Sequence, residues 1–191
     1  MPHIELANDM PGIVGLMMFR PETAGPLNAL AEALLRADNS LSRGERESIA
    51  AYVSYLNECR FCEMSHSSFA ALQLDDGWDL VESVKDDPSA APISDKLRAL
   101  LAIAAAVQRG GRQVTHALVA AAREQGATDV EIHDTVLIAA AFCMFNRYVD
   151  GLAAQTPEDP EAYLPRARIL VEHGYLAPVH PGPPTAPPTG D

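Results

Sequence analysis

Apolar residues recur at intervals of three and four along most of the chain. Residues 25–37 place four leucines at this spacing, and residues 41–57 stack Ile49, Val53 and Leu56 on one face. Such spacing is typical of amphipathic α-helices. Extended alternation of apolar and polar residues, which would indicate half-buried strands, does not occur. The pattern therefore predicts an all-α fold with several helices packed into one compact multi-helix domain.

Capping signals predict where several of these helices begin. Ser42 with Glu45, and Thr128 with Glu131, have the S/T-x-x-E spacing of a capping box, and Ser94 precedes another apolar-periodic run. Glycines follow several of the runs and predict their ends. Besides the two segments above, helices are expected over residues 93–111, 115–126, 128–153 and 160–174.

Prolines constrain the two ends of this pattern. Pro26 is expected in the first turn of the helix over residues 25–37, and Pro165 in the first turn of the last helix or at a bend in it. The closing segment APVHPGPPTAPPTGD is rich in proline and too poor in apolar residues to build a core. The predicted organisation is a helical domain over residues 1–176 and a Pro-rich tail over residues 177–191.

A weak internal similarity appears at an offset of 84 residues. Glu47 stands twelve residues before Cys59, as Glu131 stands twelve residues before Cys143. One explanation is an ancient duplication of a two-helix unit, which would leave the active chemistry in the first copy only. Chance is the other, because few positions match.

The net charge limits the classes of partner. At −12, with a sequence pI near 4.8, the chain lacks the basic surface that binding to nucleic acid or to an anionic membrane requires. No apolar run reaches the ~20 residues that cross a bilayer, and the first 25 residues lack the features of a secretion signal. We expect a cytoplasmic protein, in which three cysteines are not a disulfide framework.

The segment NECRFCEMSH contains the spacing C-x-x-C-x-x-x-H, formed by Cys59, Cys62 and His66. On a helix, Cys59 and Cys62 are i, i+3 neighbours with Cβ atoms ~5–6 Å apart, so a small adjustment would allow a reversible disulfide. His66 follows Cys62 by four residues, where its ring can take the thiol proton. A position at the start of a helix also favours a thiolate, which is the reactive form of cysteine.

Three interpretations of this segment follow from the residues alone. A redox-active dithiol is favoured; a metal site is the second, although zinc needs a fourth ligand. The third is a pair of structural thiols, since cysteine is often a small buried apolar residue. Cys143 stands isolated in an apolar run, and His116 and His133 stand alone on predicted helices, so none of them supplies an obvious further ligand.

The segment LSRGERESIAAYVSYLNECRFCEMSH closely resembles the core of the AhpD-like alkyl hydroperoxidases, in the carboxymuconolactone decarboxylase superfamily. The family pattern is a glutamate twelve residues before the first cysteine, followed by C-x-x-C-x-x-x-H. Glu47, Cys59, Cys62 and His66 match all four positions. Flanking similarity to the peroxidase-related branch extends the resemblance over roughly residues 10–175.

The resemblance implies a thiol peroxidase with antioxidant activity. It makes Cys62 the thiolate that attacks the peroxide and Cys59 the thiol that resolves the sulfenic acid as an intramolecular, redox-active disulfide. His66 would act as base and Glu47 would pass protons through it. On one continuous helix Glu47 would lie about 120° around the axis from Cys59, so this relay requires a break near Asn57.

The resemblance also implies an all-helical homo-oligomer without haem, flavin or metal. Its substrate would be a small hydroperoxide, and its partner a dithiol reductant protein, lipoylated or thioredoxin-like, or a peroxiredoxin. Phe61 replaces a histidine that contributes to the relay in some members; Phe61 and Tyr55 are candidates for an apolar substrate approach, with core packing as the alternative. The alternative functions are a dithiol–disulfide oxidoreductase and a redox-responsive oligomer without peroxidase turnover.

Overall fold

The computed structural model describes residues 1–177, and these form nine α-helices and two short 3-10 helices without any strand. The prediction of an all-α fold is confirmed. The α-helices are α1 Gly12–Phe19, α2 Pro21–Arg36, α3 Arg43–Leu56, α4 Arg60–Ala71, α5 Gly77–Asp86, α6 Asp95–Arg109, α7 His116–Glu124, α8 Asp129–Gly151 and α9 Leu164–His173. The 3-10 helices are Gly111–Gln113, after α6, and Pro160–Tyr163, before α9.

The predicted helix starts are present as hydrogen bonds. Both capping boxes are complete: the Ser42 side chain accepts from the Glu45 amide at the start of α3, and the Thr128 side chain accepts from the Glu131 amide at the start of α8. Ser94 caps α6 in the same way. These bonds satisfy amide groups that the first turn of a helix leaves unpaired.

Three features of the fold differ from the prediction or go beyond it. Helices α1 and α5 were not expected, because α1 is apolar on every side and α5 is short and begins at a glycine. The position predicted for Pro26 is wrong: α2 begins at Pro21, so Pro26 lies inside the helix. Pro21 supplies the favourable first-turn position instead. Pro165 does lie in the first turn of α9.

The core lies between α3, α6 and α8, which pack against one another. Their fully buried residues are small or branched, which allows the helices to approach closely. In α3 these include Ile49, Ala50 and Val53. A second, smaller apolar cluster contains both Cys59 and Cys62, so the dithiol belongs to the packed interior.

The buried carboxylate of Glu131 joins three parts of this core. Its Oε1 accepts from Lys96 Nζ at 2.6 Å and from Ser40 Oγ at 2.9 Å, and its Oε2 accepts from the Thr128 amide at 2.7 Å. Burial by itself raises the pKa of Glu131, but these donors outweigh it and lower the pKa to about 2. The ionised carboxylate therefore stabilises the folded state.

We expect Glu131→Gln to lower the free energy of unfolding by about 3 kcal/mol at pH 7, measured by chemical denaturation. Because the folded pKa lies below the unfolded value, this stabilisation is complete above about pH 4.5 and is lost as the pH falls towards 2. The difference between the two proteins should shrink to less than half at pH 3. Glu45→Gln, at the same position of the α3 capping box, is the matched control and should cost about 1 kcal/mol or less. Equal losses in both variants would contradict the special role of Glu131.

No helix within residues 1–177 is both long and apolar enough to cross a membrane. From residue 178 onward, the predicted Pro-rich tail lies outside the described residues. The boundary at 176/177 stays a prediction.

Candidate functional site

A corner between α3 and α4 positions the two cysteines. Helix α3 ends at Leu56 with Asn57 as its C-cap, and Glu58 adopts a left-handed conformation with φ of 59°. Cys59 is then the N-cap of α4. The Cys59 amide donates to the carbonyl of Ser54 at 3.0 Å, and this hydrogen bond fixes the corner between α3 and α4. The break that the relay requires near Asn57 is therefore present in the backbone.

The Asn57 side chain ties this corner to two other helices. Its Nδ2 donates to Asn146 Oδ1 on α8 at 2.8 Å, and its Oδ1 accepts from Gln108 Nε2 on α6 at 3.0 Å. Asn146 in turn donates to Ser54 Oγ at 3.1 Å. The corner is consequently held by a network of buried side-chain amides, which resists rotation of α4.

The two thiols of the motif are buried and lie close together. Cys59 is fully buried and Cys62 is 4% exposed; all three cysteines of the chain are free. The pKa of the Cys59 thiol is raised by its hydrogen bond with Cys62 and by burial. Cys59 therefore keeps its proton, and its thiol lies in hydrogen-bond contact with the Cys62 sulfur.

Behind Cys59 lies a carboxyl group that the sequence motif did not include. The Asp150 side chain, near the end of α8, forms a hydrogen bond with the Cys59 thiol. Partial burial raises the pKa of Asp150. Since Asp150 also reaches solvent, it connects the buried Cys59 thiol to bulk water.

A chain of three side chains starts at His66, on the same helix as Cys62. His66 Nδ1 lies 2.7 Å from Glu47 Oε2, and the Tyr175 hydroxyl donates to Glu47 Oε1 at 2.6 Å. Burial and the nearby Glu47 carboxylate raise the pKa of Tyr175, so its hydroxyl remains a donor. Glu47 itself is 1% exposed. Both carboxylate oxygens are thus occupied, and the imidazole is fixed through Nδ1.

Aromatic rings surround the His66 imidazole and fix its orientation. The rings of Phe142 and Phe69 meet His66 edge-on, with centroids 4.5 Å and 4.9 Å away. The Tyr175 ring stacks nearly parallel to it at 6.4 Å. Nε2 of His66 has no hydrogen-bond partner within residues 1–177, so that nitrogen is available to exchange a proton.

Cys62 and His66 both line a cavity of about 90 Å³. No direct hydrogen bond joins the Cys62 sulfur to the His66 ring in the described part of the chain, so a proton between them has to travel through a small molecule in the cavity. The rest of the wall is mostly apolar and comes from α1, α2, α4, α8 and α9. It consists of Ile13, Val14, Met17, Leu27, Asn28, Ala31, Phe61, Ser65, Phe69, Phe142, Phe145, Arg166, Leu170 and Tyr175.

The two residues suggested for the substrate approach lie in different places. Phe61 lines the cavity, 5.8 Å from the Tyr163 ring, and packs directly onto Gly12. A Cβ atom at Gly12, where φ is +53°, would come within 2.2 Å of the Phe61 ring, so only glycine fits there. Tyr55 does not line the cavity; its side chain is 41% exposed on α3.

The acidic neighbours of the cysteines are neutralised or directed away. Glu63 Oε1 lies 2.7 Å from Nζ of the buried Lys85, which also pairs with Glu82. Glu58 is exposed at the corner. Neither carboxylate lines the cavity that holds Cys62. Electrostatic repulsion from these side chains therefore does not oppose a thiolate at this position.

Sequence reasoning missed three residues at this site: Asp150, Arg166 and Tyr175. None belongs to a motif, and each is brought in by a helix far along the chain from Cys62. The only available signal was the weak repeat, in which Asp150 falls opposite His66. Among residues 1–177 no three His, Cys, Asp or Glu side chains converge as metal ligands.

Comparison with known proteins finds one matching family model and similar solved structures. Residues 83–156 match the model of the carboxymuconolactone decarboxylase family. A solved structure of an uncharacterised peroxidase-related protein from Ralstonia eutropha JMP134, with an alkylhydroperoxidase AhpD core, is 26% identical, with a TM-score of 0.73. The match covers 83% of this chain and 82% of that one.

A second solved structure gives the same result. An uncharacterised peroxidase-related protein from Silicibacter sp. TM1040 is 27% identical with a TM-score of 0.72, and the match covers 81% of this chain and 78% of that one. None of the curated proteins matches the chain. The family-model match and both structural matches support placing the chain among the AhpD-like proteins of the carboxymuconolactone decarboxylase superfamily.

The family model covers only part of this AhpD-like protein. Its match begins at residue 83, after the C-x-x-C-x-x-x-H motif, and contains α6, α7 and α8. It therefore falls on the segment that carries Glu131 and Cys143, the second half of the proposed internal repeat. The likeness outside residues 83–156 rests on the two solved structures, which match 83% and 81% of this chain.

Proposed function

We propose that this AhpD-like protein is a thiol-dependent peroxidase that reduces hydroperoxides with the Cys59–Cys62 dithiol. One observation carries the proposal: a histidine fixed by a buried carboxylate, at 2.7 Å, lines the same apolar cavity as a cysteine that has a second thiol beside it. The pairing of nucleophile, base and orienting group is the arrangement that activates a weak nucleophile.

In the first step, Nε2 of His66 accepts the Cys62 proton through a water molecule in the cavity. The Cys62 thiolate attacks one oxygen of the peroxide bond, a sulfur–oxygen bond forms and the O–O bond breaks. The leaving alkoxide takes the proton back from His66 and departs as an alcohol. Cys62 becomes a sulfenic acid, and the peroxide has gained the two electrons that the sulfur lost. Glu47 stabilises the imidazolium that forms between the two transfers.

In the second step, Cys59 attacks the Cys62 sulfur. Its thiol proton passes to the Asp150 carboxylate, whose raised pKa makes it a stronger base than an exposed carboxylate. The sulfenic hydroxyl leaves as water with a proton from solvent, Asp150 returns the Cys59 proton to solvent, and a Cys59–Cys62 disulfide forms. A dithiol protein then reduces this disulfide by thiol–disulfide exchange, which returns both cysteines to thiols.

A small peroxide reaches the buried Cys62 through the cavity that this cysteine lines together with His66. The cytoplasmic location, the homo-oligomer and the identity of the dithiol partner remain predictions from the sequence.

The direct test is a single turnover of the fully reduced protein with one equivalent of cumene hydroperoxide. We expect rapid loss of two thiols per chain, formation of one equivalent of cumyl alcohol and a Cys59–Cys62 disulfide in the peptide map. Denatured protein of the same thiol content is the control for unassisted thiol oxidation. Equal rates for folded and denatured protein would overturn the proposal and turn attention to disulfide exchange.

A further inference from the structure

Arg166 on α9 is the only cationic side chain other than His66 on the cavity wall, and it differs from the other arginines within the fold. Four arginines of residues 1–177 are at least half-buried. Arg36, Arg46 and Arg98 each donate hydrogen bonds to backbone carbonyls. One such bond measures 3.0 Å for Arg36, 2.9 Å for Arg46 and 2.9 Å for Arg98. Arg166 makes no hydrogen bond or ion pair with any residue of the described chain.

An unpaired guanidinium in a largely apolar setting is costly. Burial lowers the pKa of Arg166, yet an arginine stays charged at neutral pH. Withdrawing a charge from water without a partner costs free energy, so half-buried arginines are normally paired. Among the four half-buried arginines of residues 1–177, Arg166 alone lacks a protein partner, and it lies on the wall that also holds Cys62 and His66.

The geometry points to a ligand that supplies the missing partner: we propose that the cavity binds a hydroperoxide that carries a carboxylate on an apolar chain. The Arg166 guanidinium pairs with the carboxylate, and the apolar wall packs against the chain. A guanidinium fits a carboxylate because two parallel N–H groups meet its two oxygens. A mostly apolar pocket with few polar anchors is the usual form of a site for such molecules.

The remaining polar wall residues do not compete for this role. Tyr175 donates its hydroxyl to Glu47, and Ser65 donates to the carbonyl of Phe61 at 2.7 Å. No carboxylate lines the cavity, so nothing on its wall repels an anionic ligand. With a net charge of −12, the surface does not attract anions in general, and the selectivity depends on Arg166 alone.

This inference rests on the proposed peroxidase function only in assuming that the ligand contains a hydroperoxide group. Binding of the carboxylate by Arg166 does not depend on that function. We expect the protein to reduce a short hydroperoxide that carries a carboxylate, 4-hydroperoxy-4-methylpentanoate, with a kcat/KM about 10- to 100-fold above that of its methyl ester, which has the same chain without the charge. In Arg166→Met this ratio should fall to near one, and in Arg166→Lys it should lie between the two. The acid-to-ester ratio is an internal comparison, so it is independent of any general loss of activity.

Binding of decanoate, which contains no peroxide, provides the second readout. Calorimetry should detect decanoate binding to the wild-type protein, with affinity lower by about 10-fold or more for methyl decanoate and for Arg166→Met. Decanoate binding without any peroxide reduction would retain this site and overturn the proposed function. Peroxide reduction with equal rates for acid and ester, and no decanoate binding, would retain the function and overturn this inference. The wild-type comparison of acid with ester decides the matter even where a variant fails to fold.

Discussion

Cys62→Ser is expected to abolish peroxide reduction, with a loss of at least about a thousandfold in the single-turnover rate. A serine hydroxyl does not ionise near neutral pH and does not attack the peroxide bond. The assay is the loss of peroxide by reduced protein in stopped flow. The result depends on the assignment of Cys62, rather than Cys59, as the attacking sulfur; the position of Cys62 on the cavity wall with His66 supports it.

Cys59→Ser separates the two steps of the cycle. This variant should still consume one equivalent of peroxide, but it should stop at a Cys62 sulfenic acid that dimedone labels. Cys143→Ser is the matched control, since Cys143 does not line the cavity and accepts only a 3.5 Å contact from the Asn57 amide. The assignment of roles is reversed if Cys59→Ser is the inert variant and Cys62→Ser forms the sulfenic acid.

Glu47→Gln is expected to lower kcat/KM for hydroperoxides by about 100- to 10,000-fold while the fold is retained. The amide has nearly the same shape, but it carries no charge to stabilise protonated His66 and it cannot keep the ring in one tautomer. Steady-state kinetics with cumene hydroperoxide and a reducing system measure the loss.

Glu131→Gln provides the control for this substitution. Both glutamates are buried, both accept hydrogen bonds at each carboxylate oxygen, and they stand 84 residues apart in the sequence. Glu131 lies at the start of α8 and does not line the cavity. Glu131→Gln should lower the free energy of unfolding with little effect on kcat/KM, whereas Glu47→Gln should mainly lower kcat/KM. Similar kinetic losses in both variants would show that burial of a carboxylate, rather than its contact with His66, limits the rate.

The local pattern of the sequence predicted much of the fold. Capping boxes at Ser42 and Thr128 fixed two helix starts, because a serine or threonine followed by a glutamate satisfies the free amides by itself. Helix α1 was not predicted because it is apolar on every side and its sequence shows no alternation between apolar and polar faces. Pro26 was misplaced because its sequence neighbours do not reveal that α2 already begins at Pro21.

The site was predicted as far as its residues lie on α3 and α4. Spacing along one helix relates Cys62 to His66, and the family pattern added Glu47 to them. The contact of Tyr175 with Glu47 and the place of Arg166 on the cavity wall depend on how α9 packs. A tertiary contact of this kind leaves no periodic trace in the sequence, so no pattern indicated either residue.

The two halves of the proposed internal repeat differ in the course of their backbone. The first half is broken by Asn57 and Glu58 into α3 and α4, whereas the corresponding part of the second half continues unbroken as α8. Because Cys59 stands at the N-cap of α4 and Cys143 stands in mid-helix, the corner exists only around the first cysteine. Whether the two halves share an origin stays a prediction.

The bond between Tyr175 and Glu47 joins residues 128 positions apart. A ribosome that adds roughly 5–20 residues per second needs on the order of 6–26 seconds to travel that distance. For most of this interval the growing chain contains Glu47, both motif cysteines and His66, but not the tyrosine that donates to the carboxylate. The hydrogen bonds of Glu47 are therefore completed only after most of the helical domain has been synthesised.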